Sequence, residues 1–334
     1  MATTVNNAFD IFMKDAVRLD SDRNDVAKRS KNNLVTEIEK FPQDGKFLDI
    51  HPDYKSIDYG SFSRKTKARP LDDIDLMIVL HAQGNWREGI DRGFTIHVQS
   101  NAPKQQALCN PGTDVLNSIK VINKFKEYLA NVPSYSKAEI KRNQEAVTLE
   151  LSSYEWVYDI VPCFITAADN FGRTFFLIPD GSGNWKPTDP RIDKERIIRI
   201  NGKQQISVID MIRIMKYWTK RRTAATMGSY FLECMILNYY DAVGVNSNNY
   251  ISAELPNLFA YVYHQVHNTL YDPKGFQGDL NTLTFDQRNS IQERARLDYH
   301  RSNEARNSEA NGRHKEAIEK WTEIFGSEFP TYTS

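Results

Sequence analysis

Three aspartates carry the clearest chemistry in the chain. Asp73 and Asp75 stand two apart in Asp72-Asp73-Ile74-Asp75-Leu76-Met77-Ile78-Val79-Leu80, whose apolar residues predict a buried strand over 74–80. Side chains two apart on a strand share a face, so both carboxylates point the same way, while Ile74, Leu76, Ile78 and Leu80 point to a core. Two such carboxylates repel unless a cation sits between them. A bare Asp-x-Asp is common and means little alone, but two additions change its weight. Gly60-Ser61 lies upstream, separated by the basic run Arg64-Lys65-Thr66-Lys67-Ala68-Arg69. Asp159 lies inside Trp156-Val157-Tyr158-Asp159-Ile160-Val161-Pro162-Cys163, where an acid is unexpected unless it is paired or ligates a metal. A structural hydrogen bond or ion pair is the plainer explanation of Asp159. Three carboxylates suit two-metal phosphoryl transfer with Mg²⁺, or Mn²⁺ in its place. A Gly-Ser turn offers amides and a hydroxyl to phosphates, with no Cβ at Gly60 to hinder approach. Asp72 faces away from Asp73 and is read as a turn cap, not a ligand.

Elements must hold these residues in place. Residues 7–41 show helical spacing with a break at Asp20-Ser21-Asp22. Residues 47–63 read as mixed strand and turn, and 84–111 as loop with a short strand at 94–98. Thr113 or Asp114 is expected to cap a helix running to Asn131. Strands over 146–151 and 155–164 predict a hairpin, followed by a strand over 174–178. Beyond Pro190 strand patterning stops, and helices are expected at 206–222, 228–243, 254–270, 284–309 and 312–325. The fold class is therefore α+β, a sheet lobe followed by a helical lobe. The expected domains are 1–200 and 201–334, with the site in the cleft between them.

Composition excludes several classes. Lys plus Arg equals Asp plus Glu at 43 each, which argues against a protein that coats nucleic acid. No run of 18 apolar residues exists, so no membrane partner is expected. The start has no basic flank ahead of an apolar stretch, so no signal peptide is expected, and a reducing, cytoplasmic setting is the default. Three widely spaced cysteines support neither a disulfide framework nor a zinc site. His264 and His267 share a predicted helix face but have no further ligand pattern, and helix packing explains them. The basic tracts 137–142 and 191–203 read by default as solvated helix faces, with a contact surface as the alternative.

The pattern Gly-Ser, acidic-x-acidic strand, distant acid resembles the DNA polymerase β-like nucleotidyltransferases. More narrowly, the chain resembles the bacterial cGAS/DncV-like nucleotidyltransferases of antiphage signalling. Tyr59-Gly60-Ser61-Phe62 with Asp72-Asp73-Ile74-Asp75, Tyr158 to Cys163, Trp185-Lys186-Pro187-Thr188-Asp189-Pro190 and the end from Ala317 to Pro330 carry that resemblance. It implies that Asp73, Asp75 and Asp159 ligate two metal ions and that Gly60 and Ser61 bind phosphates. It also implies that Lys216 and Ser229 hold the donor phosphates, with Tyr230 against a base. The plainer alternatives put Lys216 on an exposed basic face with Lys220, Arg221 and Arg222, and Tyr230 in the core.

The implied activity is template-independent synthesis of a cyclic di- or oligonucleotide messenger from NTPs, ATP or GTP first and UTP or CTP next. Pyrophosphate is released, and a downstream effector reads the product. Animal relatives that sense DNA carry a zinc insertion, and the Cys and His pattern here supports no such mode. A monomer is expected. A linear product or another acceptor is the second enzyme reading, and a nucleotide-binding regulator or antitoxin the non-enzyme one.

Overall fold

The computed structural model describes residues 1–90, 93–221, 223–244 and 248–334. Along the chain come α1 (Val5–Phe12), α2 (Ser21–Ile38), β1 (Ser56–Asp58), α3 (Gly60–Ser63), β2 (Asp73–Leu80), β3 (Trp86–Ile90), β4 (Gly93–His97), α4 (Pro103–Gln106) and α5 (Ser118–Ala130). Then follow β5 (Glu139–Asn143), β6 (Ala146–Glu150), β7 (Val157–Ile165), β8 (Phe176–Pro179), β9 (Trp185–Thr188), α6 (Pro190–Asn201), α7 (Val208–Lys220), α8 (Ser229–Val243), α9 (Ile251–Gln265), α10 (Phe285–Ala310) and α11 (His314–Phe325). The class is α+β. The chain forms two compact units, one of Ser21–Arg64 with Leu71–Arg191, the other of Met1–Asp20, Lys65–Pro70 and Ile192–Ser334. No single cut near residue 200 separates them, because two N-terminal pieces cluster with the helices.

In the sheet unit, strands run in the order β1-β2-β7-β8-β9-β4-β3. The hairpin β5–β6 joins along the first half of β7, where Thr148 pairs with Asp159. β2 and β7 are parallel neighbours, pairing Asp73 with Val157 and Asp75 with Asp159. Beyond Asp75 every residue of β2 is buried. Ile74, Leu76 and Ile78 fill one face, and Met77 and Val79 join Val161 and Cys163 on the other. A central parallel strand covered on both faces reads as a continuous apolar run, which is why the alternation is lost.

Several local expectations need correction. The stretch 84–111 holds the hairpin β3–β4, of which only the second strand was expected. The N-cap of α5 is Asn117, whose side chain accepts from the Ile119 and Lys120 amides, not Thr113 or Asp114. The tract 137–142 enters the exposed strand β5, not a helix face. Among the described residues no helix is long and apolar enough to cross a membrane.

The helical unit is built on aromatic packing. Phe9 of α1 meets Trp321 edge-on at 5.0 Å and Phe329 at 5.1 Å, a favourable aromatic geometry. Arg18 donates to both oxygens of Asp210 on α7, at 3.1 and 2.8 Å. The Arg69 amide donates to the Val17 carbonyl at 3.0 Å. These contacts explain why residues 1–20 and 65–70 belong with the helices.

Candidate active site

The parallel register lines the carboxylates up. Asp73 opens β2, Asp75 follows on the same face, and Asp159 lies beside Asp75 on β7. Asp73, Asp75 and Asp159 are each partly buried. Burial pushes the Asp159 carboxyl up from its ordinary range; Thr148 opposes that shift and the charge of Glu145 adds to it. Asp159 Oδ1 is buried and makes no well-formed hydrogen bond, with Thr148, its register partner on β6, the near hydroxyl. A buried carboxylate oxygen left without a donor is costly, and such a group calls for a cation or a proton.

Gly60 approaches the same carboxylates. Its φ is +73°, and a Cβ there would come within 1.7 Å of Asp75 Oδ2. Both the left-handed backbone and the close approach therefore demand glycine. Gly60 thus rests directly on Asp75. Lys31 of α2 holds Asp58 at the end of β1 at 2.5 Å, fixing the strand that leads into this turn.

Tyr59 is a residue whose role the sequence did not show. It packs with Ile57 against Met77, Val79, Val161 and Cys163. Burial above all, then the charges of Asp75, Asp159 and Glu145, push its hydroxyl well above the ordinary tyrosine range. Tyr59 therefore stays neutral and able to donate among carboxylates. Glu145 is a second missed neighbour: Lys186 reaches its Oε1 at 3.4 Å while its Oε2 is buried without a partner. No sequence signal marked Glu145, which sits in a hairpin turn. Asp72 is exposed, and its carbonyl accepts from the Val157 amide at 3.0 Å.

The oxygen-rich donor set, the orphaned Asp159 oxygen and the glycine cradle fit hard divalent ions such as Mg²⁺ or Mn²⁺. Among the described residues no three His, Cys, Asp or Glu side chains already close into a metal cage. The triad is thus aligned by register without being drawn together.

The remaining candidates lie in the helical unit. Lys216 is neither exposed nor on a basic face. Its side chain is 6% exposed and its Nζ donates to Glu233 at 2.9 Å and to the Thr66 carbonyl at 3.2 Å. Thr66 also donates to Glu233 at 2.8 Å. Arg222, the last member of the supposed basic face, lies outside the described residues. Glu233 did carry a signal, an acid inside Phe231-Leu232-Glu233-Cys234-Met235-Ile236. Ser229 is exposed at the first position of α8. Tyr230 is half-buried, and its hydroxyl donates to Asp193 at 2.7 Å and accepts from Lys274 at 2.7 Å, with Asp272 at 3.1 Å. The Lys274 ammonium also sits 4.1 Å from the centre of the Tyr230 ring.

No family model matches the chain. It is 44% identical over 335 residues to a probable cyclic nucleotide synthase of Bacillus cereus strain VD146, covering 99% of each chain. Its fold is similar to that of E. coli MS115-1 CdnC solved with ATP, with a TM-score of 0.70, 16% identity and coverage of 97% of this chain and 98% of that one. It is also similar to Vibrio cholerae DncV cyclic AMP-GMP synthase, with a TM-score of 0.57, 13% identity and coverage of 83% and 70%. With the carboxylate register, the glycine cradle and a full-length relative in hand, the chain belongs to the bacterial cGAS/DncV-like nucleotidyltransferases.

Proposed function

We propose that the protein condenses NTPs into a cyclic di- or oligonucleotide, releasing pyrophosphate at each step. The observation that carries this reading is the Asp75–Asp159 register with Gly60 seated on Asp75. Asp73, Asp75 and Asp159 would hold divalent ions. Bound there, the ions supply Lewis-acid activation of a ribose hydroxyl and neutralise charge on the triphosphate. The Gly60-Ser61 turn offers amides and a hydroxyl to phosphate oxygens. Tyr59, kept neutral, is a fixed donor beside the carboxylates. The new bond joins the hydroxyl oxygen to the α-phosphorus, and the bond to pyrophosphate breaks.

In the helical unit we assign Lys216, Ser229 and Tyr230 to nucleotide binding. Lys216 is held by Glu233, so binding a phosphate would exchange one anion for another. Tyr230 has its hydroxyl engaged and Lys274 against its ring, so any contact with a base would use the remaining ring face. ATP and GTP are the first substrates to test, because the CdnC relative was solved with ATP and DncV is a cyclic AMP-GMP synthase. The product would serve as a messenger in antiphage defence, read by an effector.

The test is incubation with the four NTPs and Mg²⁺ or Mn²⁺, followed by mass spectrometry and nuclease digestion for free ends. A nuclease-resistant cyclic product, absent with Asp73→Ala/Asp75→Ala, is expected. A product with free ends would establish the linear reading instead.

A further inference from the structure

The sheet unit contains a cavity of about 610 Å³ that the proposed reaction does not use. Its floor comes from Ile96 of β4, Phe164 of β7 and Leu177 of β8, all buried. Phe164 and Leu177 are register partners, and Ile96 pairs across its own hairpin with Arg87. The apolar surface is therefore fixed by strand pairing and is in place without a ligand. A volume of this size lies in the range of small-molecule sites.

The cavity is distinct from the carboxylates. Asp73 opens β2, whereas the cavity is lined by residues just past the other end of β2 and by the end of β7. At roughly 3.3 Å per residue, the ends of β2 lie about 23 Å apart.

The polar lining shows what the cavity can take. Asp169 accepts from the Phe171 amide at 2.8 Å and from Arg173 Nε at 2.9 Å. Asn85 accepts from the Gln99 amide at 2.8 Å and donates to Gln105. Arg87 differs. Its guanidinium lies 5.1 Å from the Phe94 ring centre and 5.0 Å from that of Phe175. Two rings orient the plane but leave the N–H edge available. Among the described residues no ion pair to a carboxylate engages Arg87. The acid and the amide are thus satisfied, and Arg87 is the cationic, planar donor of the lining, a geometry that suits a carboxylate or similar anion.

We propose that this cavity is a second ligand site, which binds a small amphipathic anion: a flat or extended apolar body against Ile96, Phe164 and Leu177, with its anionic group on Arg87. Binding at this cavity is independent of the nucleotide reaction.

Calorimetric titration with 2-naphthoate, decanoate and anilinonaphthalene sulfonate tests it, with neutral methyl 2-naphthoate as the control. At least one anion should bind saturably to the wild type, and Arg87→Met should weaken it by about tenfold or more, as expected for loss of a charged hydrogen bond. The neutral ester should not distinguish the two proteins. Ala168→Trp, which fills the cavity, should abolish binding of both. Binding should persist in Asp73→Asn/Asp75→Asn, which separates this site from the carboxylates. Absence of saturable binding by all three anions, or equal affinity in Arg87→Met, would overturn the proposal.

Discussion

The sheet carboxylates and the buried ion pairs of the helical unit are built on opposite plans. In the helical unit, Lys216, Glu233 and Thr66 satisfy one another, and Lys274 lies between Asp193 and Asp272 with Tyr230 bonded into the group. On the sheet, Asp73, Asp75 and Asp159 are lined up by strand register, and one oxygen each of Asp159 and its neighbour Glu145 is buried without a hydrogen-bond partner. The helical-unit groups are satisfied before any ligand arrives, so a phosphate must displace Glu233 to reach Lys216, whereas Asp159 has an oxygen left over for a cation. Charge type alone does not separate them, since each contains acids set in apolar strands or helices.

The largest expected effect breaks the open cluster. Asp73→Asn/Asp75→Asn should lower pyrophosphate release by about 10³-fold or more, the scale of losing several kcal/mol of metal-assisted stabilisation. Lys216→Met attacks the closed cluster. It strands Glu233 in the interior and should cost about 3–5 kcal/mol in denaturant unfolding. A cost near zero would mean that the cluster is not closed.

Gly60→Ala sharpens the boundary between the two kinds of cluster. The left-handed φ alone costs about 1–2 kcal/mol, and the added Cβ must displace Asp75. Turnover should fall much more than stability, as read by rate and midpoint together. The smallest effect concerns Asp210. Burial pushes its carboxyl up, but the hydrogen bond and charge of Arg18, with Arg213, outweigh burial and hold it below the usual range. A depressed folded value contributes stability above the unfolded pKa, about 3.9, that is lost as pH falls through the folded value. Asp210→Asn should therefore be less stable than wild type at pH 7, by about 1 kcal/mol or less, and the two should converge in acid.

The sequence was most legible where periodicity and chemistry coincide. The strand bearing Asp73 and Asp75 and the hairpin bearing Asp159 showed themselves because apolar runs flank the acids. Glu233 sits in an equally apolar run, yet on a helix beside Lys216 the same signal means a structural pair, and only tertiary placement separates the two. β3 was hidden because Trp86, Arg87, Glu88 and Gly89 are all exposed and show no alternation. The true cap of α5 was hidden because the loop before it is tied by its own bonds, Val98 amide to Asp114 carbonyl and Asn117 to Asn110. Membership of residues 1–20 and 65–70 in the helical unit rests on contacts such as Arg18–Asp210, 192 positions apart, which no local pattern encodes.

Asp159→Asn tests the contrast most directly, measured for unfolding free energy and for pyrophosphate release in the same preparation. The substitution removes a buried charge and leaves the side-chain volume unchanged. The expected result is an unfolding free energy equal to or above that of wild type, with turnover lost. Retained turnover, or a stability loss comparable to that of Lys216→Met, would contradict the assignment of Asp159 to a ligand-holding site.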